Sequence, residues 1–395
     1  FESSIGVLQG AAASPVLFNF VIDAWFSTME WDDPPVALHS DDGSEGPHSK
    51  VEGTEEVLLA HITNRGKAGT NVGNTVKVRD FKYADDVAAV WRSREAMQRG
   101  MAKLVSHGRR WGLEVHVAKA VDKASKTEFL VIPPLAHHPN FREDYDRSPV
   151  KIDDVWFTHA KVEIKKVWYP GVFKYLGSYI TEDLCEDFDV NERISKASGA
   201  FGKCKRMIFK NRELSIESKA RAFDAFVLSI LFYQSECWAL RDDQKRRVCV
   251  FFNRCVRVLT GINRLMQHHR HLTSEDMAKK AGLRSCESYL NERLLSWAGH
   301  VARMATSQMP RRTLFAWFNG PRASGKPHFT LRHRLTILLR NLPDKLSVAA
   351  RSSLLRHGWV HAAQDREKWV DITRTYCNCE GVKRLKNDRK IQHLE

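Results

Sequence analysis

Apolar positions recur along this chain with two different periods, and the change from one to the other falls near residue 185. Ahead of it, short β-like runs mix with helices. Gly6-Val7-Leu8-Gln9-Gly10 is a glycine-punctuated turn, and after Ser14-Pro15 the apolar residues Val16, Leu17, Phe20, Val21 and Ala24 follow helical spacing. A turn leading into a helix is predicted there. Val76 and Val78 alternate, Phe81 and Tyr83 continue the run, and Val87 to Trp91 is apolar again. Two strands should therefore flank Asp85-Asp86, with the pair at the hairpin tip.

Beyond residue 185 the pattern is that of long amphipathic helices. Between Arg246 and Leu259, the residues Val248, Phe251, Phe252, Cys255, Val256 and Leu259 share one face, while Arg246, Arg247, Arg254 and Arg257 cluster on the other. One face packs and the other is free for phosphates or solvent. A second helix sets Leu290, Leu294, Trp297, Val301 and Met304 on one core stripe. After about residue 305 the tail is basic and broken by Asn319-Gly320-Pro321 and Ser324-Gly325-Lys326-Pro327. The expected class is α+β, in three regions: residues 1–185 with strands and helices, helices from 186 to 305, and a basic region from 306 to 395. No apolar run approaches the roughly 18 residues that span a bilayer; the best, Ala225 to Tyr233, is interrupted by Ser229. No membrane span is expected. The chain opens at Phe1 with no targeting pattern, and reads as a fragment.

Composition adds a partner to this picture. The 395 residues are 43% hydrophobic, enough for two or three globular domains. Lysine and arginine outnumber aspartate and glutamate by 62 to 47, a net charge of +15, which favours a polyanion. No acidic residue lies between Arg293 and Pro343, where Arg303, Arg311, Arg312, Arg322, Lys326, Arg332, Arg334 and Arg340 alternate with Trp297, Phe315, Trp317, Phe318 and Phe329. Cations for phosphates and rings for unpaired bases suit a single strand or a duplex end; a core beneath a solvated basic face is the other reading. The opposite bias, from Glu30 to Glu56, reads as a solvated acidic insertion spanning about residues 30–75. Eight cysteines lack C-x-x-C spacing, which points to free thiols in a reducing compartment. Cys377 and Cys379 with His393 fall short of a four-ligand zinc set, and His268, His269 and His271 read as solvated.

Two adjacent aspartates between apolar strands repel each other unless a cation compensates. Magnesium, or manganese, is the fitting cation: it prefers oxygen donors and takes one or two carboxylates together with substrate phosphates. Successive strand side chains point to opposite faces, so a turn is needed to bring both carboxylates to one region, and Asp85 ranks ahead of Asp86 as a ligand. The competing reading is an ordinary turn stabilised by aspartate's local hydrogen bonds.

The ordered set of motifs is more specific than any one of them. Gly6-Val7-Leu8-Gln9-Gly10 with Ser14-Pro15-Val16-Leu17-Phe18-Asn19 resembles the G-V-x-Q-G and S-P-x-L-F-N motif of non-LTR (LINE-type) retrotransposon reverse transcriptases. Phe81-Lys82-Tyr83-Ala84-Asp85-Asp86 is similar to their metal-binding hairpin, and Gly112-Leu113-Glu114-Val115 with Lys126-Thr127-Glu128 to the next palm motif. Phe173-Lys174-Tyr175-Leu176-Gly177-Ser178 resembles the primer-grip hairpin. Trp297-Ala298-Gly299-His300-Val301-Ala302-Arg303-Met304 is similar to a G-H-V-x-R-M stretch further downstream, and Trp359, Asp365-Arg366 and Trp369 to the usual ending of such chains.

The resemblance implies a partial right-hand polymerase palm (1–185), an all-helical thumb (186–305) and a basic C-terminal region. It implies Asp85 and Asp86 as ligands of the metals, Lys126 as proton donor to pyrophosphate with Lys119 competing, and Gly6, Gln9, Gly10, Ser14, Pro15 and Tyr83 near nucleotide and template. Phe173, Lys174, Tyr175, Leu176 and Gly177 would steady the primer end, and the arginine face would follow the duplex backbone. RNA template, DNA primer or target and deoxynucleoside triphosphates are the implied partners, and the nucleus the implied location. Three alanines at 11–13 and a long gap between Gln9 and Tyr83 depart from the family pattern, the second through the acidic insertion. The family's further metal-binding aspartate and the fingers do not occur in these 395 residues, so this chain alone is not expected to polymerise DNA. A non-catalytic nucleic-acid-binding relic or adaptor is the alternative function. A group II intron maturase shares the Asp-Asp hairpin, but not the G-H-V-x-R-M stretch.

Overall fold

A computed structural model describes residues 25–26, 28–29, 36–37, 77–78, 80–83, 86–91, 93–116, 127–132, 146–153, 155–305, 308–315, 334–335, 338–339 and 358–378. The chain forms two compact units, and among the described residues the break falls between Cys185 and Glu186.

The first unit is built from hairpins and one long helix. β1 (Val36–Ala37) pairs antiparallel with β2 (Lys77–Val78), and β3 (Asp80–Tyr83) with β4 (Asp86–Ala89). Helix α1 (Arg94–Arg110) starts where the Ser93 hydroxyl accepts from the Ala96 amide at 3.2 Å, and ends on Arg109 and Arg110, which favour the negative end of its dipole. Its inward residues Met97, Met101 and Val105 fall at i, i+4 and i+8, and they pack with Phe129, Val150, Ile152 and Phe157. Those last four belong to a three-stranded sheet in which β5 (Glu128–Phe129) runs parallel to β7 (Val155–His159), and β6 (Val150–Ile152) antiparallel to it. Two further hairpins follow, β8 (Lys161–Ile164) with β9 (Val167–Pro170) and β10 (Val172–Tyr175) with β11 (Ser178–Thr181). Their two-residue turns place Lys165, Lys166, Leu176 and Gly177 all at positive φ, the twist that a tight hairpin needs.

The second unit is helical. α2 (Asp187–Cys204) runs into a π-helical turn closed by the Lys210 amide on the Lys205 carbonyl at 2.9 Å, and α3 (Ile216–Phe223) into a second over Asp224–Leu228. Phe201, Phe209, Phe223 and Phe252 form a ring cluster between these helices and α4 (Asp242–Thr260), with centroids 4.7 to 6.1 Å apart. All six apolar residues expected on the inner face of α4 are buried. Short helices α5 (Arg264–His269) and α6 (Ser274–Lys280) lead to α7 (Cys286–Ala302).

α7 serves two cores. Leu290 belongs to the ring-rich core, while Leu294, Leu295, Ala298 and Ala302 join a second with Trp359, Val360, Ala362 and Ala363 of α9 (Gly358–Gln364) and Trp369, Ile372 and Tyr376 of α10 (Arg366–Asn378). The short helix α8 (Met309–Phe315) lies between them in sequence. The expected division near residue 305 is therefore no boundary between cores, because the broad apolar surface of α7 needs α9 and α10 to cover it. Among the described residues no helix is long and apolar enough to cross a membrane, and no cysteine is disulfide-bonded.

Candidate nucleotidyl-transfer and nucleic-acid site

The Asp-Asp motif sits where alternation of the flanking residues puts it. Tyr83 pairs with Asp86 as the last register position of the β3–β4 hairpin. Asp85 itself lies outside the described residues, as do Gly6, Gln9, Gly10, Ser14, Pro15, Lys119, Lys126 and the side chain of Tyr83. Asp86 is exposed. Val87, Ala88 and Ala89 follow it half-buried along β4, and Val87 packs against the cluster of Trp25, Phe26, Met29 and Leu104.

The hairpin read from Phe173 to Ser178 is present, with Tyr175 paired to Ser178 across Leu176-Gly177. Phe173 and Tyr175 project from the same face of β10, and their rings stack with centroids 6.2 Å apart. Lys174 points the other way and is exposed. The Tyr175 phenol is held above its ordinary pKa, first by burial and second by the negative charge of Asp86. Asp86, on the other motif hairpin, is thus one of the charges that act on the Tyr175 phenol.

Three residues that sequence reasoning missed anchor the second hairpin. Glu182, just past β11, accepts two hydrogen bonds from the Arg147 guanidinium at 2.8 and 3.0 Å, and its Oε1 stands 2.9 Å from His159 Nε2 at the end of β7. Gly171, ahead of β10, has φ +71 and a Cβ there would lie 2.8 Å from the Glu182 carboxyl carbon. Burial lowers the His159 pKa, against the opposing pull of Glu182. None of the three carries a motif, and only the folded register brings them together.

The arginine face of α4 divides. Arg246 and Arg254 are exposed and Arg257 is half-buried, and none of the three is ion-paired among the described residues. Burial and the neighbouring Arg264 and Arg254 lower the Arg257 pKa, the mark of cations gathered without a counter-charge. Arg247 departs from this group. Its guanidinium bonds Asp187, donates to Asn191 at 2.8 Å, and lies 3.6 Å from Asp243, so it ties α4 to α2. Beside it, the buried Asp189 accepts from the Trp238 indole at 2.8 Å. His268, His269 and His271 are exposed. Among the described residues no group of three or more His, Cys, Asp or Glu side chains is placed to hold a metal ion.

No protein-family model and no solved structure matches the chain. Over 304 residues, which are 76% of this chain and 97% of its counterpart, it is 23% identical to an uncharacterized transposon-derived protein of Caenorhabditis elegans. The chain is thus similar, across most of its length, to a sequence of transposon origin.

Proposed function

From that kinship to a transposon-derived sequence, we propose that the chain is the palm and thumb portion of an RNA-directed DNA polymerase of a non-LTR retrotransposon. The observation that supports it is the pair of hairpins found at those two motifs: an exposed aspartate at the closing pair of one, and Phe173 and Tyr175 stacked on one face of the other, whose phenol feels the Asp86 charge. An Asp-Asp turn alone has an ordinary explanation. An Asp-Asp pair in the same compact unit as an anchored hairpin that presents Phe173 and Tyr175 on one face has the parts needed to hold a primer end near a metal.

The donor chemistry fits the ion. Asp86 is exposed and adjacent in sequence to Asp85, and hard carboxylate oxygens in ones or twos are what magnesium or manganese accepts alongside phosphates. Asp85 and Asp86 would hold such an ion, which would supply a lowered pKa to a bound hydroxyl and charge neutralisation for the leaving pyrophosphate. In this reading Phe173 and Tyr175 bear on the primer, and Lys126 protonates the leaving group. Glu182 and Arg147 are positioning residues, because they act through the β10–β11 hairpin. Arg246, Arg254 and Arg257 follow the duplex backbone.

Manganese binding, followed by the electron paramagnetic resonance of the free ion, tests the metal role. The wild-type chain is expected to bind Mn2+, and both Asp85→Asn and Asp86→Asn to weaken that binding about tenfold or more, the effect of removing one charged ligand. Equal affinity in all three proteins refutes it. Nucleic-acid binding retained without any Mn2+ binding favours the non-catalytic relic instead.

A further inference from the structure

Two stretches singled out in the sequence, Gly299 to Met304 and Asp365 to Trp369, have no part in that reading, yet the fold joins them. α7 presents Glu292, His300 and Arg303 along one face, at i, i+8 and i+11. α10 presents Arg366, Thr373 and Arg374, at i, i+7 and i+8. These six line a single cavity of about 580 Å³ between the two helices, floored by the Trp369 indole. Its size is that of a small-molecule site, ample for a nucleotide-sized group.

The helices approach this closely because Gly299 has no side chain. A Cβ at that position would overlap the Trp369 ring, which is itself pinned by its Nε1–H donating to the Leu295 carbonyl at 2.9 Å. The Gly299-His300 pair therefore has two jobs: the glycine admits the tryptophan, and the histidine, next in sequence, turns to the cavity.

The cavity is electropositive and incompletely satisfied. Arg366 and Arg374 are exposed and have no ion pair among the described residues. Arg303 is held by one hydrogen bond to the Ala363 carbonyl at 2.8 Å, and its pKa is lowered, first by burial and then by Arg366. The single lining carboxylate, Glu292, is already engaged by Arg284, and Asp365 beside Arg366 is paired with Lys368 at 3.5 Å. Thr373 is only 4% exposed, and its Oγ1 is buried with no hydrogen-bond partner. A buried hydroxyl without a partner is uncommon and costs stability, so it marks a place where a ligand oxygen completes the set. Guanidinium forks and a hydroxyl around one space match a phosphate group.

We infer that the cavity between α7 and α10 seats a backbone phosphate of a nucleic-acid strand, through Arg303, Arg366, Arg374, His300 and the Thr373 hydroxyl. The inference rests on the reading of the chain as a nucleic-acid protein, and it adds a contact that is separate from both the Asp-Asp hairpin and the arginine face of α4.

The test uses the full chain and a fluorescein-labelled oligouridylate of roughly 20 nucleotides, with anisotropy read between about 50 and 200 mM salt. The double variant Arg366→Gln/Arg374→Gln is expected to bind about tenfold more weakly, and to shallow the slope of log affinity against log salt by about 1.4, the loss of two contacts to a single strand. A charge-matched control, Arg110→Gln/Lys280→Gln, should keep the wild-type slope. Both altered side chains of the groove variant are exposed, and an unchanged thermal midpoint verifies that it folds. A groove variant that equals the control in affinity and slope overturns the proposal. So does broadening of the 31P resonance of inorganic phosphate by the wild type but not the groove variant, with oligouridylate affinity equal in both; that result assigns the cavity to free phosphate. Should the wild type fail to bind the oligonucleotide at all, the reading of the chain as a polymerase segment fails as well. Loss confined to Arg246→Gln/Arg254→Gln spares that reading and removes the groove alone.

Discussion

Glu128 and His159 give the first unit two pH responses of opposite sign. Glu128 lies half-buried on β5, and burial pushes its carboxyl up to about 7, against the opposing effects of the Lys161 backbone amide and the Lys161 charge. In the unfolded chain the same group titrates near 4.3. The folded state therefore holds this proton more tightly, and the stabilisation is complete below the unfolded pKa and lost as pH rises through about 7. His159 acts in the opposite sense: burial lowers its pKa, so its contribution is lost as pH falls below the ordinary histidine value. Comparing wild type with Glu128→Gln cancels the histidine. The urea midpoint of the wild type relative to the variant is expected to decline between about pH 4.5 and pH 8, and a difference that stays constant over that interval refutes the assignment. Nothing in the sequence near Glu128 announces this, since its strand is covered through pairing with β7, which is distant in the sequence. Gly299 is a milder case: its place in a motif was legible, whereas its reason, the Trp369 indole, stands 70 residues away.

At the scale of elements, the β10–β11 hairpin shows how much a turn contributes. Leu176 has φ 47 and Gly177 φ 86, the conformation in which glycine and asparagine are favoured and leucine is strained. Leu176→Asn is expected to stabilise the chain by about 0.5–1 kcal/mol, and Gly177→Ala to destabilise it by about 1 kcal/mol, through the side-chain clash at positive φ. Thermal unfolding of the two variants checks both signs; a stabilising alanine at 177 refutes the turn geometry. Strand and helix periods in the sequence located the hairpin bearing Asp86 and the buried face of α4, because each is a local pattern that survives whatever it packs on, whereas the β10–β11 hairpin was reached through its resemblance to a family motif. The helical wheel placed Arg247 with Arg246 and Arg254 for the same reason, and there it misled. A wheel shows which way a residue leaves its own helix, but the acids that capture Arg247, Asp187 above all, arrive on α2.

For the whole molecule, the net charge of +15 becomes informative once the unpaired cations are located. Arg246, Arg254, Arg257, Arg366 and Arg374 carry no ion pair among the described residues. If each neutralises one phosphate of a single strand, log affinity should fall against log salt with a slope near −3.5, about a hundredfold between about 50 and 200 mM. Filter binding across that range measures it, and an affinity indifferent to salt excludes phosphate contacts as the basis of binding. By itself the sequence determined the mixed strand-and-helix class, the change of character near residue 185, the hairpin bearing Asp86 and the basic balance, all of them properties of local period and composition, while the β10–β11 hairpin was legible only through a motif resemblance. Tertiary structure alone decided that the Asp86 charge acts on Tyr175, that Arg147, His159 and Glu182 anchor the β10–β11 hairpin, that α7 joins two cores, and that His300 and Arg303 share a cavity with Arg366 and Arg374. These are pairings between segments distant in the chain, and such pairings depend on how apolar faces cover one another, which no single segment encodes.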